Sequence, residues 1–155
     1  MTMPSVRSLW GMAFALSLGA AISLGMARFS YGMLLPPMRE DLAWSYTLAG
    51  AMNTANALGY LLGAMALPRM LRRWDAVQVF MAGAVLTSVF MGLSGFFTQA
   101  EPLLFQRGLA GLSSAWVFVS GGLLAARLGN VHPPSAGWLL GLYYGGTGWG
   151  IILSA

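Results

Sequence analysis

Gly25-Met-Ala-Arg-Phe-Ser-Tyr-Gly-Met-Leu-Leu-Pro-Pro-Met38 decides the fold. It closes an apolar run that begins at Leu9, and that run contains a cation, Arg28. An arginine inside a membrane span costs roughly 2.5 to 17 kcal/mol depending on how it is measured, so it usually faces a protein interior or a water-filled cavity. Pro36 and Pro37 lack a backbone N–H and restrict the residue before them, which predicts that the helix stops there. The stretch thus reads as a membrane span, a buried cation and an exit.

The rest of the chain agrees. Of 155 residues, 57% are hydrophobic and 8% charged, whereas a soluble domain carries about 25% charged residues. The pattern predicts an all-α transmembrane protein with spans at about 9–33, 46–67, 76–97, 103–126 and 137–153, each near the ~20 residues that cross hydrocarbon. The first run is too long for a signal-peptide core. Strands of period two, as a barrel would need, are absent. There is no cysteine, so disulfide and thiol chemistry are excluded.

The net charge of +4 comes from eight arginines and no lysine. Arg7, Arg69, Arg72, Arg73 and Arg127 fall in loops on one side; Arg39, with Glu40, Asp41 and Glu101, falls on the other. That asymmetry reads as membrane orientation rather than nucleic-acid binding, with the N-terminus in the cytoplasm. Trp10, Trp74 and Trp138 then lie near the inner interface and Trp44 near the outer. The chain ends directly after an apolar run, which leads us to expect a fragment completed by further C-terminal helices or by a partner chain.

Several residues stand out as cavity lining. Arg28 is flanked by Phe29, Ser30 and Tyr31, which suit a polar pocket wall. Arg107 lies about one turn into the fourth span, at a depth similar to Arg28. The five spans hold no Asp or Glu, so the counter-charge must come from a loop, another segment or the substrate. For both arginines the alternative is snorkelling to the interface. In the second span Ala51, Ala55, Gly59 and Gly63 form a small-residue stripe for close packing. Asn53, Asn56 and Tyr60 share a different face, facing either a neighbouring helix or a cavity. Arg69, Arg72, Arg73 and Asp75 form a loop that either sets topology or gates. Gly145-Gly-Thr-Gly-Trp-Gly150 is no phosphate loop, because no strand precedes it and it sits in an apolar span. Close helix contact or a bend is its natural use.

There is no catalytic triad, no paired intramembrane carboxylate and no metal-ligand cluster, and His132 stands alone in a loop. We expect no enzyme, no metal and no cofactor.

These residues resemble the N-terminal half of a major facilitator superfamily (MFS) transporter. Arg28-Phe-Ser-Tyr-Gly-Met-Leu-Leu-Pro-Pro-Met38, followed by Arg-Glu-Asp-Leu, resembles the bacterial YbfB/YjiJ branch. Arg107-Gly-Leu-Ala-Gly111 is similar to the superfamily's fourth-helix R-x-x-x-G motif. The loop between spans two and three keeps Gly63 and the arginines of that loop's motif but lacks its aspartate. The fifth helix resembles the glycine-rich antiporter motif without its proline. The resemblance implies a full protein of two six-helix bundles, twelve helices in all, of which this chain supplies five. It implies a midplane substrate site and alternating access. The function expected is secondary transport of a small solute, which the arginines suggest is anionic, in a bacterial inner membrane. Arg28, Tyr31, Asn53, Asn56, Tyr60 and Arg107 would line the path. The alternative is a small membrane protein that does not transport and acts as an assembly or interaction subunit.

Overall fold

The computed structural model describes residues 5–154. Five long helices follow one another: α1 (Val6–Asp41), α2 (Tyr46–Met70), α3 (Ala76–Ser94), α4 (Ala100–Val131) and α5 (Ala136–Ile152). A single 3-10 turn, Pro133–Ser135, leads into α5. No strand occurs among the described residues. Three helices are long and apolar enough to cross a membrane by length and composition: α1, α3 and α4. Helix α2 is diluted by Asn53, Thr54, Asn56 and Arg69, and α5 has 17 residues. The chain is an all-α, multi-pass membrane protein.

Short connections make successive helices antiparallel, so α1 and α5 run the same way, as do α2 and α4. Helix α4 is central. It packs against α2 and α3 over most of their lengths, and against α1 and α5 over shorter stretches. Glycines allow the closest approaches. A Cβ on Gly59 would overlap the Gly108 carbonyl oxygen, and one on Gly63 the Leu112 carbonyl oxygen, which fixes the α2–α4 seam. Along α1 and α5, Gly146 meets the Ser17 carbonyl and Gly150 meets the Ala21 carbonyl. Gly137, Gly141, Gly145 and Gly148 of the same helix face open space.

Helix α1 departs from the sequence expectation. It does not stop at Pro36 and Pro37 but continues through both to Asp41. Its central segment, Ala21–Ser30, is π-helical, and the Ser30 hydroxyl donates to the Gly25 carbonyl five residues back. Packing holds the turns that the prolines weaken. Leu35, Met38 and Leu42 lie against a cluster of Tyr31, Trp44, Met52 and Leu103. Prolines are tolerated in membrane helices where neighbours and local readjustment compensate. What ends the helix is a Schellman-type turn at Ala43, whose φ is +52°. The Ala43 N–H donates to Glu40 O at 3.3 Å and the Trp44 N–H to Arg39 O at 2.9 Å. At the other end of the bundle α4 runs on past Arg127 to Val131, so Arg127 sits in a helical turn rather than in the loop expected there.

Candidate functional site

Arg107 is the most deeply placed charge in the protein, 2% exposed, where α1, α2 and α4 meet. Its Nη1 donates to the Ala27 carbonyl at 3.1 Å. Its Cζ lies 3.7 Å from the centroid of the Tyr31 ring, a cation–π contact. Asn56 of α2 holds the backbone beneath it, its Nδ2 donating to the Arg107 carbonyl at 3.2 Å. Arg107 Nε and Nη2 have no partner, nor has the Tyr31 hydroxyl.

Arg107 and Tyr31 are among the residues bordering a half-open pocket of about 120 Å³ between α1, α3 and α4, with Met26, Leu34, Met91 and Ser94 on its walls. The Ser30 and Ser94 hydroxyls are committed to the Gly25 and Phe90 carbonyls. Arg107 and Tyr31 therefore carry the unpartnered donors beside this pocket, all of them buried behind its wall.

No carboxylate compensates Arg107. The four acidic residues, Glu40, Asp41, Asp75 and Glu101, all lie at helix ends and are exposed. Glu40 pairs with Arg39 at 3.7 Å and Asp75 with Arg127 at 3.8 Å.

Arg28 takes a different environment. It is exposed, and its Cζ stands 5.8 Å from the Tyr60 ring of α2. Ala27 and Arg28 are successive residues, so their side chains diverge by roughly a quarter turn of the helix. Arg107 is held on the Ala27–Tyr31 side of α1 while Arg28 meets α2. Matched depth, as read along the sequence, does not bring the two cations to one partner.

The polar residues of α2 separate as well. Asn56 is buried in the seam with Gly59 and Gly63, and its carbonyl backs onto Gly111; Asn53 is exposed and Tyr60 half-buried. The structure joins Tyr31, Asn56 and Arg107 in one cluster and Arg28 with Tyr60 in another, with Asn53 in neither. The hydroxyl pair Thr87–Ser113 (2.9 Å) and the Gln106 amide, donating to the Phe90 carbonyl and to Ser94 Oγ, tie α3 to α4. Sequence reasoning did not single out these residues; Thr, Ser and Gln within apolar spans were the available signal.

At the opposite end of the bundle Arg69, Arg72, Arg73 and Trp74 border an open pocket of about 510 Å³. Asp75 starts α3, where Gln78 Oε1 accepts from its backbone N–H at 3.1 Å. Its link to Arg127 connects the start of α3 to the end of α4. Among the described residues no group of three acidic or histidine side chains could hold a metal ion.

A family model described as "Uncharacterised MFS-type transporter YbfB" matches residues 20–155. No curated protein and no solved structure matches the chain.

Proposed function

This chain belongs to the family of uncharacterised MFS-type transporters that includes YbfB, and on that footing we propose that it moves a small anionic solute by alternating access. The observation that carries the anionic preference is Arg107. It is buried, keeps two free donors, and has no acidic side chain beside it. A charge withdrawn from water is costly unless something of opposite sign completes it. A solute anion supplies that charge when bound and removes it when released.

In this reading Arg28, on the accessible α1–α2 side with Tyr60, attracts the anion, and Asn53 lines the same approach. Tyr31 and Arg107 hold the anion on the other side of α1, and Asn56 holds the Arg107 backbone in place. Alternating access needs a second bundle against which this one rocks, supplied by further helices or by a partner chain. The arginines at the Arg7, Arg69–Arg73 and Arg127 end favour a cytoplasmic N-terminus in a bacterial inner membrane.

The test is uptake into proteoliposomes containing the full chain, with labelled anions, neutral solutes and cations offered in parallel. We expect anions to be taken up. Arg107→Gln should lower that uptake at least tenfold, and Arg28→Ala should abolish it, with membrane insertion unchanged in both. Uptake confined to cations or neutral solutes would overturn the anionic reading. Unchanged anion uptake in Arg107→Gln would remove that residue from the path.

A further inference from the structure

The two donors that Arg107 leaves free are not an arbitrary pair. Nε and Nη2 lie on one edge of the guanidinium, with nearly parallel N–H bonds. That edge matches the two oxygens of a carboxylate, the bidentate arrangement in which arginine is strongest. The third donor, Nη1, which belongs to the other side of the group, is taken by the Ala27 carbonyl. The backbone of α1 thus fixes the guanidinium while its carboxylate-binding edge stays unpartnered.

The cavity beside it narrows the choice of anion. A single uncompensated cation suits a monoanion rather than a phosphate dianion. Met26, Leu34 and Met91 make the rest of the wall apolar, which suits an alkyl tail. The space of about 120 Å³, open on one side, corresponds to roughly four water-sized units at about 30 Å³ each, enough for a carboxylate head and a short alkyl tail.

We infer that Arg107 Nε and Nη2, with the Tyr31 hydroxyl, bind the carboxylate of a small aliphatic monocarboxylate whose alkyl end lies among Met26, Leu34 and Met91. This inference rests on the anionic-solute reading above and names its substrate class.

The test is calorimetric titration of the full chain in nanodiscs with propionate, its neutral isostere propionamide, and nitrate, a planar oxyanion without a tail. Propionate should bind saturably, propionamide at least 100-fold more weakly and nitrate at least tenfold more weakly. Arg107→Lys should weaken propionate at least tenfold, because an ammonium offers no parallel pair of donors. Tyr31→Phe, which keeps the ring, should weaken it several-fold and serves where Arg107→Lys does not fold. Absence of propionate binding to the unmodified protein would overturn the site, as would nitrate binding equally well or both variants binding as the parent does. Propionate binding without uptake of any anion would sink the transport reading and leave the site standing. Anion uptake without Arg107-dependent carboxylate binding would do the reverse.

Discussion

Arg107 Cζ lies 3.7 Å from the centroid of the Tyr31 ring, a contact that joins α4 to α1. A desolvated cation–π contact of this kind is worth about 2 kcal/mol. Tyr31→Phe keeps the ring and should leave the melting temperature in detergent nearly unchanged. Tyr31→Leu keeps an apolar side chain but removes the π face, so it should lower the melting temperature clearly. Equal effects of the two substitutions would mean that the ring serves only as packing volume.

The Gly59–Gly108 contact is asymmetric, and the asymmetry can be measured. A Cβ on Gly59 would overlap the Gly108 carbonyl oxygen, whereas a Cβ on Gly108 would meet nothing nearer than the Ala55 carbonyl at 3.8 Å. Gly59→Ala should therefore force α2 and α4 apart, at a cost of about 1–3 kcal/mol. Gly108→Ala should be tolerated, and Gly141→Ala, which faces open space, should be neutral. Thermal unfolding of the three variants gives the order; equal losses for Gly59→Ala and Gly108→Ala would contradict the seam.

Ala43 makes the left-handed turn that ends α1, at φ +52°. A Cβ strains this conformation by about 1–2 kcal/mol, and a branched one more. Glycine would relieve the strain but give back some of the gain through its freer unfolded chain. Ala43→Gly should thus be neutral or slightly stabilising, and Ala43→Val clearly destabilising, by melting temperature. A Val variant as stable as the parent would mean that the turn adopts another conformation.

The turn also shows what could be read from the sequence and what could not. Hydropathy runs gave the all-helical membrane class and the order of the five helices, because apolar length is a local property. Pro36 and Pro37 misled, since their effect on a helix depends on what packs against the weakened turns. Here that is Trp44, Met52 and Leu103, and Met52 and Leu103 belong to α2 and α4. Arg107 was legible as a cation within a span, with burial and snorkelling both open; what decides it, the Ala27 carbonyl, lies 80 residues away. Asn56 was legible as polar; which face it shared was not, because Asn53, Asn56 and Gly63 fall within roughly 80° of one another on a helical wheel. Only the approach of α4 decides where the buried sector begins.

The Thr87–Ser113 pair tests how far side-chain hydrogen bonds hold α3 to α4. Thr87 Oγ1 donates to Ser113 Oγ at 2.9 Å with both residues buried. Ser113 Oγ also reaches the Leu109 and Ala110 carbonyls on its own helix. That local alternative leaves the serine proton satisfied when its partner is removed, so the pair should couple only weakly. Interhelical hydrogen bonds in membranes average about 0.6 kcal/mol in double-mutant cycles. A cycle of Thr87→Val and Ser113→Ala, read by unfolding in mixed micelles, should give a coupling of about that size. Thr87→Val alone should cost little, because valine fills nearly the same volume and Ser113 keeps its own acceptors. A coupling above about 2 kcal/mol would exceed the largest value expected for such bonds. It would mean that the hydroxyl pair, rather than the Gly83 approach to Val117, sets the α3–α4 spacing.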